Sequence, residues 1–399
     1  MFTGAWIEFA AMMLLLAAVL QQPYLLLLSS LLLTVVPVAW VWQRVAFLNV
    51  GYERKLNETR VFEGERVALT LRLANRKWLP LAWIRVDDRL PLALQPEERP
   101  LSPSSIPLVG VLDQRASLLW FEGARWEYHL PCERRGFYAI GPAELKSGDL
   151  FGLFERAVEY PRIDRLIVYP RIDPIEDWGL PPKEPFGDAR TRVPMFEDAT
   201  RIRGLRDYRP DDAPKHIHWR ATAHRAALQV KVYEPTINYN WVLFLNVQTY
   251  EQAWQGVDSA RSEQAIHLAA SLANYAAERK YAFGLVANGT YPDSDQRLRV
   301  LPGRSPNQLR NVLEALAAVS YLVTAPIETL LRRDSVSLPW GATLIVITPL
   351  VTPNLLQEMS RLYEAGRRLA LVSLDEDRTP EELPGITVYR AHEPRRMSE

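Results

Sequence analysis

Trp241-Val242-Leu243-Phe244-Leu245-Asn246-Val247 is the stretch on which the fold turns. A nearly continuous apolar run of this length marks a strand covered on both faces, the situation in a parallel sheet flanked by helices. The next segment, 258–280, reads as an amphipathic helix with Ile266, Ala269, Leu272, Ala273 and Ala276 on its inner face. Asp258 stands where a first-turn cap is needed. Further strands are expected over 281–287, 297–301, 342–348, 368–374 and 386–389, and further helices over 308–319 and 354–365. Residues 236–399 therefore read as a mostly parallel, doubly wound α/β domain. Ligands of such sheets sit beyond the carboxyl ends of the strands, near the point where strand order reverses. That directs attention to Asn246, Gln248 and Tyr250, and to Thr348-Pro349-Leu350.

Upstream, residues 173–235 read as a Pro/Arg-rich linker. Pro174, Pro181, Pro182, Pro185 and Pro194 make its first part extended. Its second part is dense in arginine, aspartate and histidine, from Arg206-Asp207-Tyr208-Arg209-Pro210-Asp211-Asp212 to His216-Ile217-His218-Trp219-Arg220-Ala221-Thr222. Three of the chain's 6 histidines, His216, His218 and His224, raise the possibility of a zinc site with Asp211 or Asp212 as fourth ligand. Against it, Pro210–Pro214 is turn-like and a helix is expected to start near Trp219, which would part the two imidazoles. An ion network of paired arginines and aspartates that clamps this segment fits the composition better. Nucleic acid is not an expected partner, because acids interleave with the bases of this window.

Residues 50–172 read as a small antiparallel β-sandwich. Strands are expected over 67–73, 81–86, 117–121, 126–130 and 137–140, separated by Glu63-Gly64-Glu65, Asn75-Arg76, Glu122-Gly123 and Arg135-Gly136. Residues 96–107 read as an exposed loop. Cys132, the single cysteine, is expected to pack inside this module, and being alone it excludes a disulfide framework or a multi-thiolate metal site.

From Phe9 to Gln43 there is no charged residue, a run longer than the ~20 residues that cross a hydrocarbon core. Gln21-Gln22-Pro23 interrupts it, so residues 1–43 read as a transmembrane helical hairpin, with spans over 3–20 and 24–42. Trp6, Tyr24, Trp40 and Trp42 stand at span ends as interfacial aromatics do. No basic residue precedes the run and a second apolar segment follows at once, which disfavours a cleaved signal peptide. Arg44, Arg54 and Lys55 follow the second span, so the positive-inside rule puts the soluble domains in the cytoplasm, at the inner membrane. Over the whole chain 47 basic and 47 acidic residues balance, which excludes a chain that holds polyanions by net charge.

Three stretches together resemble the domain of unknown function 58 family of bacterial membrane proteins: Glu133-Arg134-Arg135-Gly136-Phe137 with Gly141-Pro142, Gly148-Asp149-Leu150-Phe151-Gly152, and the segment from Arg206 to Thr222. The resemblance implies two N-terminal membrane helices, a β domain, and a C-terminal domain similar to von Willebrand factor type A. It also implies partnership with MoxR-type AAA+ ATPases and with transglutaminase-like membrane proteins, and it supplies no reaction. Type A domains commonly hold Mg²⁺ in a metal-ion-dependent adhesion site built on an Asp-x-Ser-x-Ser loop. Here the matching positions are Asn246, Gln248 and Tyr250, without a carboxylate, so a degenerate, metal-free site is expected.

No Gly-x-Ser-x-Gly elbow or phosphate loop is present. The expected function is a non-catalytic, membrane-anchored adaptor or scaffold without a cofactor. It would contact partners through Arg206, Tyr208, Arg209, Asp211, Asp212, His216, His218, Trp219, Arg220 and Thr222. The alternatives are a zinc-dependent hydrolase using the three histidines and a purely structural envelope protein.

Overall fold

The structure is a computed structural model that describes residues 3–182, 185–186, 197–210, 212, 214–235, 240–291 and 297–394. The chain divides into two compact units, Met1–Arg171 and Ile172–Glu399.

The first unit begins with helices α1 (Thr3–Leu20) and α2 (Pro23–Ala46), packed on each other through a turn at Gln21 and Gln22. Pro23 fills the first helical position of α2, where its missing N–H costs nothing. Hydroxyls inside α2 are satisfied within the helix: Ser29 Oγ donates to Leu25 O at 2.7 Å and Thr34 Oγ1 to Leu31 O at 2.8 Å. Among the described residues α2 is the helix long and apolar enough to cross a bilayer.

Eleven strands follow: β1 (Val50–Leu56), β2 (Arg60–Phe62), β3 (Arg66–Asn75), β4 (Leu81–Pro91), β5 (Ser102–Pro103), β6 (Val109–Leu118), β7 (Gly123–Pro131), β8 (Gly136–Ile140), β9 (Ala143–Gly148), β10 (Glu155–Tyr160) and β11 (Asp164–Tyr169). They form three sheets, ordered β1-β3-β7, β10-β9-β4-β6-β5 and β2-β11-β8. Alternation along β3 buries Val67, Leu69, Leu71 and Leu73 in a core shared with Ile84, Val86, Leu112 and Leu130. Each such side chain contributes roughly 1.5–3 kcal/mol by leaving water.

Two expectations change here. Leu119, Trp120 and Phe121 lie beyond the end of β6, in an exposed turn and not in a strand. The sheets are also not wholly antiparallel, because β2 pairs β11 in parallel.

A larger correction concerns Arg54. The sequence suggests a charge flanking the membrane, yet its side chain is wholly buried in the β module. Its Nη1 meets Asp88 Oδ1 at 2.5 Å and its Nε meets Asp164 Oδ2 at 2.8 Å. Nη2 donates to the carbonyls of Ile140 and Arg162 at 2.8 and 2.7 Å. Tyr52 Oη completes the cluster by donating to Asp88 Oδ2 at 2.7 Å. Every donor of the guanidinium fork that faces these groups is matched, the condition under which a buried charge is tolerated. Of the three cations read as flanking the span, Arg44, whose guanidinium lies over the Trp40 ring at 3.9 Å, and Lys55 remain exposed.

The second unit opens with a 3₁₀ turn, Ile175–Trp178, which buries Ile175 and Trp178. An antiparallel ribbon follows, β12 (Glu197–Asp207) against β13 (Gln229–Pro235), with the short helix α3 (Trp219–Arg225) between them. The helix expected near Trp219 is α3, and it lies between two strands that the linker reading did not expect; Pro194 and Asp211 lie outside the described residues. Then come β14 (Asn240–Leu245), α4 (Ser259–Glu278), β15 (Ala282–Thr290), β16 (Arg297–Gly303), α5 (Gln308–Ala318), α6 (Ile327–Ser335), β17 (Ala342–Thr348), α7 (Pro353–Glu364), β18 (Arg368–Ser373) and β19 (Thr387–Arg390).

The six later strands make one sheet in the order β16-β15-β14-β17-β18-β19, parallel throughout except for β16 on the edge. Nearly every residue of β14, β15 and β17 is buried, as continuous apolar runs require. Asp258 caps α4 by accepting from Ala260 N and Arg261 N at 3.1 and 3.3 Å. Strand order reverses between β14 and β17, the place in such sheets beyond whose strand ends ligands commonly sit.

Candidate functional site

Asn246, one residue past β14, is buried at this reversal of strand order with Asn288 of β15 and Thr348 of β17. Asn246 Oδ1 accepts from Asn288 Nδ2 at 2.7 Å and from the amide of Gln248 at 3.0 Å. Its Nδ2 donates to Thr348 Oγ1 at 2.9 Å. Thr348 Oγ1 also accepts from Leu350 N at 3.1 Å and donates to Leu350 O at 2.6 Å, while Asn288 Oδ1 accepts from Val247 N at 2.8 Å. These three side chains form a closed brace across three adjacent strands. Leaving one of its buried groups unpaired would cost about 1–3 kcal/mol.

The side chains of Gln248 and Tyr250 do not join the brace. Gln248 Nε2 turns back to Tyr250 O at 2.8 Å, and the Tyr250 ring is exposed. Asp375, past the end of β18, accepts from Val351 N and Arg378 N at 3.1 and 3.3 Å. Thr290 Oγ1 is paired with Ser320 Oγ at 2.7 Å. Mg²⁺ wants six hard oxygens with anionic charge among them. Asn246, Gln248 and Tyr250 offer no carboxylate, and the Asn246 and Thr348 oxygens already carry two donors each. These residues do not fit the ion.

The second cluster lies on the β12–β13 ribbon. Arg206 grips Asp212 with both terminal nitrogens, at 2.6 and 2.5 Å, and Arg209 N donates to the same carboxylate at 2.8 Å. The Arg206 guanidinium, with the Arg209 amide, holds the Asp212 carboxyl below the usual range. Buried Gln229 links the ribbon to α3: its Nε2 donates to Asp207 Oδ1 at 2.5 Å, its N donates to Thr222 Oγ1 at 3.0 Å, and its O accepts from His218 N at 2.8 Å. Tyr208 N donates to Leu228 O at 2.9 Å, so the chain re-enters the ribbon on both sides of α3.

His218 is the cap of α3, its Nδ1 accepting from Ala221 N at 3.1 Å. His216 ends a single 3₁₀ turn and His224 stands in the last turn of α3. Among the described residues no group of three His, Cys, Asp or Glu side chains converges as a metal site would require. What the cluster presents outward is Trp219, 69% exposed, with Arg220 beside it. A surface groove between α6 and α7 is crossed by the Arg332–Glu358 ion pair at 2.9 Å and stands apart from both clusters in sequence.

Residues 204–397 match the family described as "Protein of unknown function DUF58". The match takes in both clusters and assigns no activity to either. A curated relative, "Uncharacterized protein YeaD" of Bacillus subtilis (strain 168), is 22% identical over 331 residues, covering 82% of this chain and 76% of that protein. Among solved structures, the CARDB domain of a Pyrococcus furiosus protein in complex with di-metal ions is 11% identical, with 30% of this chain and 91% of that chain covered and a TM-score of 0.21. Spo0M, a sporulation control protein from Bacillus subtilis, is 12% identical, with 30% and 49% covered and a TM-score of 0.18. Likenesses at these scores bear on neither fold nor function.

Asn288 is the member of the brace that the sequence reading overlooked. Its signal was present, because it is the amide that interrupts the apolar run of β15 just as Asn246 ends that of β14.

Proposed function

We propose that this chain is a membrane-tethered, non-catalytic adaptor or scaffold that binds protein partners through a metal-free head similar to a von Willebrand factor type A domain. The strand order, with β16 antiparallel on the edge, supports the doubly wound reading of that head. The length and apolarity of α2 support the tether, and α1 packed against it supports a helical hairpin. Arg44 and Lys55 favour a cytoplasmic placement at the inner membrane.

One observation carries the reading. Trp219 stands in water while the residues around it, His218, Thr222 and Gln229, are pinned to the ribbon. A rigid platform that exposes tryptophan next to arginine has the composition of an interface hot spot. The partner proposed is a MoxR-type AAA+ ATPase, with a transglutaminase-like membrane protein as a second candidate.

The test is capture of a MoxR-type AAA+ ATPase by the detergent-solubilised full-length protein. Trp219→Ala should weaken binding by about 30-fold, the ~2 kcal/mol of a hot spot. Capture unchanged by Trp219→Ala, or no capture by the wild-type protein, rejects the reading.

A further inference from the structure

The motif Gly148-Asp149-Leu150-Phe151-Gly152 joins β9 to β10 and takes no part in either cluster described above. Its carboxylate is turned inward: buried Asp149 accepts from Phe151 N and Leu153 N on Oδ1, at 2.7 and 3.3 Å, and from Phe154 N on Oδ2 at 2.6 Å. Its glycines are structural. A Cβ on Gly148 would stand 2.3 Å from Phe154 O, and Gly152 has φ +70°, in the left-handed region. The loop is therefore held in one shape, and that shape turns Leu150, Phe151 and Leu153 outward, with Phe151 60% exposed. Folding a loop around a buried carboxylate in order to expose three large apolar side chains needs an apolar neighbour.

The position of the loop says which neighbour. Phe154 packs on Val36, Ala39 and Trp40 of α2. Gln43 Nε2 donates to Glu155 O, and Arg156 Nη1 to Arg44 O, each at 3.2 Å. A hydrocarbon core is ~30 Å thick and needs ~20 helical residues. Were α2 to leave the lipid before Val36, only about 13 residues, about 20 Å of helix, would remain to cross it. Val36 to Trp40 must then lie within the bilayer, and Phe154, packed on them, brings the end of the loop to the same level.

Two further turns emerge from the same end of the β module. The pairs Ile84↔Ser147, Leu81↔Leu118 and Ala74↔Gly123 put the ends of β9, β6 and β3 together. Arg76 N donates to Asn49 O at 3.0 Å, tying the β3–β4 turn to the chain just past α2. On these turns Trp78 and Phe121 meet edge to face at 5.1 Å, both exposed, with exposed Trp120 beside them. Aromatics at the level where a span leaves the lipid match an interfacial belt, and exposed Arg44, Arg76 and Arg156 supply cations for headgroups.

We propose that the Asp149–Leu153 loop is a lipid-inserted wedge, entering the leaflet beside α2 with Leu150, Phe151 and Leu153 among the acyl chains, while Trp78, Trp120 and Phe121 sit at the headgroups. The proposal rests on the reading that α2 spans a bilayer. The experiment places an environment-sensitive fluorophore on the full-length protein in phosphatidylethanolamine/phosphatidylglycerol vesicles, through Phe151→Cys, Leu31→Cys on α2, or Leu108→Cys at the opposite end of β6. Native Cys132 is buried and leaves the introduced thiol as the reactive one. Nitroxide carried on acyl chains should quench the probe at 151 several-fold more than that at 108, and aqueous iodide should do the reverse. A probe at 151 quenched by iodide while that at 31 is quenched by lipid overturns the wedge alone. Shielding of 151 from both quenchers also overturns it, since protein then covers the loop. A probe at 31 open to iodide overturns the spanning reading, and the wedge with it.

Discussion

Asn288 Nδ2 donates to Asn246 Oδ1 at 2.7 Å across the carboxyl ends of two neighbouring parallel strands, and both side chains are shut off from water. Asn246→Asp would bury a charge and remove the donor to Thr348. The head should lose about 2–4 kcal/mol of stability. Thermal unfolding with and without millimolar Mg²⁺ checks this: the midpoint should drop, and the ion should not bring it back. Recovery on adding Mg²⁺ would mean that the brace can open into a coordination site.

Arg54 holds two carboxylates, two carbonyls and, through Asp88, a tyrosine. Arg54→Met should cost the β module about 3–5 kcal/mol, because Asp88 would be left buried without its counter-charge. Arg54→Lys keeps the charge, loses the fork, and should fall between the two. Denaturant unfolding of the full-length protein in detergent measures both. A loss below about 1 kcal/mol for Arg54→Met would contradict the cluster.

Burial pushes the Cys132 thiol up from 9.0 to about 11. At pH 8 it should react with iodoacetamide at least a hundredfold more slowly in the native protein than in denaturant. The unfolded thiol ionises first as pH rises, so this group's contribution to stability is complete below pH 9 and is lost on the way to about 11. Fast alkylation of the native protein would show the core to be open.

Asp212 is shifted the other way, held low first by the Arg206 guanidinium and then by the Arg209 amide. Its contribution is present above the usual carboxyl value of 3.8 and disappears as pH falls through the lowered one. Asp212→Ala should reproduce the protonated state at neutral pH. Hydrogen exchange at Arg209 should accelerate while the global midpoint stays in place. Unchanged exchange would show that the turn is held by something else.

Long apolar runs were legible in the sequence because they have one physical meaning at a time. Residues 342–348 and 241–247 announce strands, and α1 and α2 fall where the uncharged run and its Gln-Gln-Pro break put them. Short mixed segments were not. In β12 and β13 arginines, acids and a glycine blur the alternation, and their pairing spans a helix. Helix α6 shows only Ile327, Leu330 and Leu331 as an apolar stripe among charges, too little for a periodicity to stand out. Arg54 was misread because charge in a sequence suggests water, and its partners lie 34 and 110 residues away. In the brace, Asn246 and Thr348 were visible as polar residues ending apolar runs, but their mutual bond is a fact of strand order that no local pattern contains.

The five-stranded sheet of the β module ends on two unlike borders. One is β5, two residues long and closed by Pro103; the other is β10, where Glu155, Arg156 and Glu159 stand exposed. Proline and clustered charge are what keep a free strand from recruiting another. For a chain held at a surface, as proposed above, that protection matters more than in solution. Confinement to two dimensions brings identical copies together side by side and pre-aligned, the arrangement in which unguarded borders would zip into fibres.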